Sequence, residues 1–259
     1  MEILFILLCL LTGFISGVCA GFFGIGGGVI NVPFLIAIFY FFHESGDPIK
    51  KSIVSSLAVV FIASLSSSYT HFKSNKNLLL KNLFIIGFAG GIGAILGAHI
   101  AISIKSIYLK KALGVLEIIA SLYILLQQEK ENGQKETKPL LPGIFAFLAG
   151  IFSATFGIGG GIVFIPLTRL TTNYPLTDII GYSSGMIPFV SLFGLSQYLW
   201  FEFSRGQELI SIHAIIPMAI TCIIGARLGA KGVYLLNKER LKIFYSIFLF
   251  IIGCLLIYR

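Results

Sequence analysis

Apolar residues run almost unbroken from Ile3 to Phe23, Ile53 to Ser68, Leu83 to Ile104 and Leu241 to Tyr258. Several of these runs approach the length at which a helix crosses a bilayer core. Polar residues fall in the intervals between them. The longest such interval, Gln127 to Pro142, carries Glu129, Lys130, Glu131, Lys135, Glu136 and Lys138 and reads as a surface linker. The pattern predicts helical segments at about 3–23, 29–42, 51–72, 81–104 and 107–127 before the linker. After it, segments are expected at about 143–157, 161–172, 176–201, 209–235 and 240–258. The first run has Glu2 as the one charge before it and is longer than a secretory core, so it reads as mature structure.

Composition sharpens this into a polytopic all-α membrane protein. The chain of 259 residues is 56% hydrophobic and 12% charged, against about a quarter charged in a soluble domain. That is too little polar material to coat a water-soluble globule. The formal net charge of +8 does not point to nucleic acid. Its cations sit in connections: Lys50 and Lys51; Lys73, Lys76 and Lys81; Lys105, Lys110 and Lys111; Lys231, Lys238, Arg240 and Lys242. Helix ends meet headgroups and cytoplasm at such places. Cys9, Cys19, Cys222 and Cys254 lie inside apolar runs without pairing or metal spacing and read as small buried hydrophobes. No metal and no cofactor is expected.

The chain repeats itself. Gly24-Ile25-Gly26-Gly27-Gly28-Val29-Ile30-Asn31-Val32-Pro33 returns 133 residues later as Gly157-Ile158-Gly159-Gly160-Gly161-Ile162-Val163-Phe164-Ile165-Pro166. Ser55-Ser56 is answered by Ser183-Ser184, and Gly93-Ala94-Ile95-Leu96-Gly97-Ala98 by Gly225-Ala226-Arg227-Leu228-Gly229-Ala230. Leu109-Lys110 and Leu241-Lys242 keep the latter offset of 132. The organisation expected is a first transmembrane repeat over 1–127, a polar linker over 128–141 and a second repeat over 142–259. Each repeat holds four to five helical segments.

Gly-Ile-Gly-Gly-Gly is costly as a helix, because glycine loses the most backbone entropy. With a proline following in both copies, it predicts a break at membrane depth. Lipid cannot satisfy freed N–H and C=O groups, so such a break is buried or lines a polar cavity. N–H groups opening the next helix suit an anion, and matched breaks in two halves point to a transporter site. Each pair around the glycines is two spans, a re-entrant hairpin or one broken helix. Two spans give five per half and inverted repeats; one broken helix gives four and parallel repeats. An even total puts both termini on one side. Gly13, Gly17, Gly21, Gly93, Gly97, Gly225 and Gly229 read instead as close helix packing.

These residues, the doubled Gly-Ile-Gly-Gly-Gly…Pro element, the serines after it and the repeated Gly-Ala-x-Leu-Gly-Ala, resemble the sulfite exporter TauE/SafE family over essentially the whole chain. The resemblance implies a bacterial-type plasma-membrane (inner-membrane) transporter of two homologous halves, usually with about eight spans. Its substrates would be sulfite, sulfonates and other small organosulfur anions.

The function expected is secondary transport of small anions, not enzymatic catalysis. The partners expected are membrane lipid and a small anionic substrate, with a homo-oligomer possible and no nucleic acid. Candidate substrate contacts are Gly24, Gly26, Gly27, Gly28, Asn31, Pro33, Ser55 and Ser56 in the first repeat. Those in the second are Gly157, Gly159, Gly160, Gly161, Pro166, Ser183, Ser184, Gln197 and Arg227. The serine hydroxyls either donate to an oxyanion or bond other helices. Arg227 stands where Ile95 stands in the first copy; it meets an anion or snorkels to headgroups beside Lys231. Glu117 is an intramembrane carboxylate that either couples a proton or serves a structural pair. His71 and His99 read as packed or capping. The alternative is a membrane scaffold or intramembrane enzyme without transport activity. A scaffold predicts continuous helices through the glycines, and a protease needs a Ser–His or paired-Asp arrangement that the spacing does not show.

Overall fold

Every expected apolar segment is a helix in the computed structural model, which describes residues 1–24, 26–74, 78–126, 140–172, 174–206, 208–232 and 238–258. In chain order these are α1 (Glu2–Phe23), α2 (Gly28–Phe41), α3 (Pro48–Ser74), α4 (Leu80–Ser103) and α5 (Ser106–Leu126). They are followed by α6 (Leu140–Phe156), α7 (Gly161–Thr171), α8 (Leu176–Arg205), α9 (Ile212–Gly232) and α10 (Lys238–Tyr258). The polar linker lies outside the described residues except for 140–141, which open α6.

Among the described residues, five helices, α1, α3, α4, α8 and α9, are long and apolar enough to cross a membrane. Polarity is arranged inside out. Leu7, Leu11, Phe88, Ile92, Leu96, Ile216, Ile220, Ile224, Ile247 and Ile251 are exposed, while Ser16, Asn31, Ser55, Ser56, Ser153, Ser183 and Glu117 are buried. Such an apolar outer face is what lipid requires. The protein is an all-α polytopic membrane protein.

The short helices fold back on the helices before them. A Cβ on Gly27, at the start of α2, would lie 2.8 Å from the Ser16 carbonyl, and one on Gly160 would lie 3.2 Å from that of Ala149. At the other end of the first pair, the Phe5 ring is 6.5 Å from that of Phe39 and 5.2 Å from that of Phe42. Each glycine element is therefore the tip of an antiparallel helical hairpin, α1–α2 or α6–α7.

Glycines set how closely the halves interlock. Gly93 and Gly97 on α4 bring it against Phe147 and Ile151 on α6, where a Cβ would stand 2.0 and 2.1 Å from carbonyl oxygens. Gly13 and Gly17 on α1 meet Met218 and Cys222 on α9, and Gly225 and Gly229 on α9 meet Phe14 and Val18 on α1. No side chain fits at such a distance, so these glycines act by backbone approach. In each of these two pairings both partners advance together, so α4 runs parallel to α6 and α1 to α9. Each half thus lends its hairpin to the other half's fourth helix.

Helices α5 and α10 behave differently. Gly114 packs against Gly253, and Ser121 donates to the Ser246 carbonyl at 2.7 Å. One partner advances by seven residues while the other retreats by seven, so these two helices are antiparallel. They are the fifth helices of their halves, and equivalent helices running oppositely are the signature of inverted repeats. This removes the single broken helix from the three alternatives: a hairpin, spanning or re-entrant, keeps an odd number of crossings per half, and a single broken helix does not.

Candidate functional site

Six glycines shape the two tips. Gly24, Gly26 and Gly27 have φ of 67°, 91° and 73°, and Gly157, Gly159 and Gly160 have 74°, 90° and 84°. Side chains strain in that region, so the repeated spelling encodes a repeated backbone. The N–H of Gly24 donates to the Ala20 carbonyl at 2.9 Å and that of Gly157 to the Ser153 carbonyl at 2.7 Å, closing α1 and α6. Helices α2 and α7 then start from Gly27 and Gly160.

The tips meet each other. A Cβ on Gly26 would be 3.2 Å from the Gly159 Cα, and one on Gly28 would be 2.2 Å from the Gly157 carbonyl. Each tip is held by the opposite half. The Ser56 hydroxyl on α3 donates to the Gly157 carbonyl at 2.8 Å, and the Ser183 hydroxyl on α8 donates to the Gly24 carbonyl at 3.0 Å. Gly157 packs against Ile53, and Gly24 against Ile180.

This geometry shifts the sequence pairing by one residue. Ser56 and Ser183 do the same work, as do Ile53 and Ile180. Ser55 accepts from the Ser211 N–H at 3.2 Å, where Tyr182 accepts from the Leu79 N–H at 3.1 Å. Ser55 thus answers Tyr182, and Ser184 answers Leu57. The letter match of Ser55-Ser56 with Ser183-Ser184 is one position out of register, because the stretch from tip to clasping serine is shorter in the second half and letters alone do not show by how much.

The site is polar and unfinished. In α2 the Ile30 and Asn31 N–H groups return to the Gly27 carbonyl, and in α7 the Val163 and Phe164 N–H groups return to Gly160. The N–H groups of Gly28, Val29, Gly161 and Ile162 therefore have no partner within their helices. Pro33 and Pro166 withdraw the donors that the Val29 and Ile162 carbonyls would otherwise accept, and Pro188 does so for Ser184. Asn31, Ser153 and Ser184 are at most 1% exposed, yet both amide atoms of Asn31 and both hydroxyls have no hydrogen-bond partner. Buried polar groups are normally paired, so orphans gathered near one feature call for an explanation. A cavity of about 20 Å³ opens between Asn82, Phe164, Thr168, Tyr174, Ile179 and Tyr182, with room for about one water. The tips are closed in this conformation.

The remaining sequence candidates are dispersed. Gln197 is half-buried on α8, about 20 Å beyond Ser184 at 1.5 Å per residue. Arg227 is exposed on α9 and donates from Nε to the Ser66 hydroxyl at 3.2 Å. Glu117 is fully buried on α5, with neither oxygen partnered. His99 is exposed against the Phe201 ring. Ser153 and Pro188 escaped the sequence reading. Ser153 stands 133 residues after Ala20, and a contrast of polar against apolar at one repeat position, like that of Arg227 with Ile95, is the signal that finds it.

The chain is similar to known membrane proteins over nearly its whole length. The chain is 32% identical to a probable membrane transporter protein of Methanocaldococcus jannaschii, covering 95% of this chain and 93% of the relative. It is 28% identical to a probable membrane transporter protein of Haemophilus influenzae over 96% of this chain and 97% of the relative. For the probable membrane transporter protein YunE of Bacillus subtilis the identity is 27%, over 98% of each chain. No solved structure matches the chain. The sulfite exporter TauE/SafE pattern matches residues 9–256, nearly the whole length, and this multi-pass membrane protein belongs to the TauE/SafE family of membrane transporters.

Proposed function

We propose that the two hairpin tips form one binding site for a small anion, and that the protein is a secondary transporter of sulfur oxyanions or organosulfonates across the plasma membrane. The observation that carries this reading is the set of fully buried, unpartnered polar groups, Asn31, Ser153 and Ser184, beside two helix N-termini whose first N–H groups have no partner within their helices. Amide, hydroxyl and N–H donors together match the oxygens of an oxyanion, and both helix dipoles favour its charge. The family's description as sulfite exporters supports the sulfur chemistry.

Transport follows from the inverted repeat. Each tip is clasped by a serine of the other half, so a rocking of the halves opens one tip contact while closing the other. The closed tips represent the occluded form, and admitting an anion separates Gly28 from Gly157. A scaffold expects continuous helices through the glycines, and the two hairpin reversals do not fit that expectation.

Thermal unfolding of purified protein in detergent tests the binding site. Sulfite, thiosulfate or methanesulfonate at about 100 times its dissociation constant should stabilise the protein by about 2.7 kcal/mol, and chloride should do far less. No shift with any of the three anions contradicts the reading.

A further inference from the structure

One buried acid has no part in the tips. Glu117, on α5, is fully buried, and both its carboxyl oxygens are unpartnered. Across the antiparallel α5–α10 seam stand Tyr245 and Ser246, whose hydroxyls are also buried and unpartnered. Tyr245 lies within electrostatic range of Glu117 and of Cys19 on α1. Three orphaned side chains thus share one seam.

The other half supplies an internal control. At the repeat offset of 132, Glu117 corresponds to Leu249 and Tyr245 to Leu113, and both leucines are buried as completely. The packing of this seam is therefore solved by leucine once within the same molecule. A carboxyl and a phenol in the other copy add nothing that packing requires, and an unpaired charge there is costly. Occupancy by a proton removes that cost.

The seam is also wired to the proposed anion site. The Tyr245 ring stacks on Phe23 with centroids 4.5 Å apart and planes at 18°. Phe23 is the last residue of α1, and the next residue, Gly24, carries the carbonyl held by Ser183. A displacement of the first tip displaces Phe23, and with it the ring beside Glu117. The counterpart of this path, from Phe156 toward Leu113, contains no acid.

We propose that Glu117 is the proton-binding site that couples transport, reached through Phe23 and Tyr245 from the first hairpin tip. This rests on the transport reading above. The ionisable groups around it leave the role to Glu117. Helix α10 presents Tyr245, and α6 has no ionisable side chain. On α3, Lys50 bonds the Ile102 carbonyl, Lys51 pairs with Glu44, and His71, in the last turn, is already hydrogen-bonded to the Gly21 backbone of α1. On α5 itself, Lys110 lies over the Tyr40 ring two turns away, and Lys111 is exposed. Two carboxyl oxygens and two hydroxyls in an otherwise apolar seam suit a proton better than a metal cation, which needs more oxygens around it.

The test uses full-length protein in liposomes with a trapped pH dye, and thiosulfate or methanesulfonate as the anion, since neither carries a proton that titrates near neutrality. In wild type, anion entry should move protons, and an imposed pH gradient should concentrate the anion. E117Q mimics the protonated state, so it should exchange anion for anion while proton movement per anion falls about tenfold or more. E117L, the residue used by the other half, should fold and show the same loss. Infrared spectra should show a protonated-carboxyl C=O stretch in wild type that vanishes in E117Q. Coupling that survives in both variants overturns the proposal, as does wild-type flux that follows sodium and ignores pH. Wild-type flux without proton movement overturns the coupling while leaving transport standing. No flux of either anion, with no binding shift, overturns the transport reading itself.

Discussion

The hydroxyl of Ser56, in the first half of the chain, donates at 2.8 Å to the carbonyl of Gly157, the first residue of the second half's tip. Ser183 returns the same bond to Gly24 at 3.0 Å. The break that each half creates is thus completed by the other half, so neither tip is a self-sufficient motif. That reciprocity is the basis for treating the two glycine elements as one site.

Ser56→Ala and Ser183→Ala each leave a buried tip carbonyl unpaired. Each should lower unfolding stability by about 1–3 kcal/mol. The double variant should depart from additivity by about 0.5 kcal/mol or more, because the two tips are in contact. Additive losses measured by thermal unfolding would mean that the tips act separately.

Asn31→Leu should raise stability and abolish binding. The amide is buried and unpaired, and replacing such a group by an apolar side chain is neutral to stabilising by about 1–3 kcal/mol. The second half already tolerates Phe164 at this place. The anion-induced thermal shift should vanish in the same sample. A variant that is less stable yet keeps the shift would assign Asn31 to structure.

Gly97→Val should remove folded protein from the membrane. Its Cβ would stand 2.1 Å from the Ile151 carbonyl across the α4–α6 contact, and backbone there cannot yield; strain of this type costs about 1–3 kcal/mol or more. Size-exclusion profiles after detergent extraction distinguish aggregate from folded protein. A monodisperse, stable Gly97→Val would contradict the packing described.

Arg227→Gln should change little. The guanidinium is exposed, and its Nε donates to the Ser66 hydroxyl at 3.2 Å. Stability should stay within about 0.5 kcal/mol of wild type, and anion affinity should move less than it does in Asn31→Leu. A large loss of affinity measured by the same thermal shift would bring Arg227 into the site.

Much of this was readable in the chain because membrane helices announce themselves. The segment expected at 81–104 is the helix Leu80–Ser103, and that at 176–201 is Leu176–Arg205. The doubled Gly-Ile-Gly-Gly-Gly was legible because positive φ restricts residue choice so strongly that both copies keep the same letters. Three things were hidden. Hairpin and broken helix share one glycine pattern, and contacts such as Phe5 with Phe39, far apart in sequence, are what separate them. The pairing of Ser56 with Ser183 was masked because Ser184 offered a more attractive letter match one residue away. That Gln197 lies far along α8 and Arg227 is exposed depends on helix length and face, which residue type alone does not report.

The central claim is that an anion passes where the tips touch, and flux through Gly28→Ala tests it most directly. Gly28 has an ordinary helical φ, so alanine brings no backbone strain, and its Cβ would stand 2.2 Å from the Gly157 carbonyl. The measurement is uptake of sulfite, thiosulfate and methanesulfonate into liposomes holding equal amounts of folded wild type or variant. The account predicts saturable uptake of at least one of these anions by wild type and its loss in Gly28→Ala. Uptake unchanged by the substitution, or absent from wild type for all three anions, would contradict it.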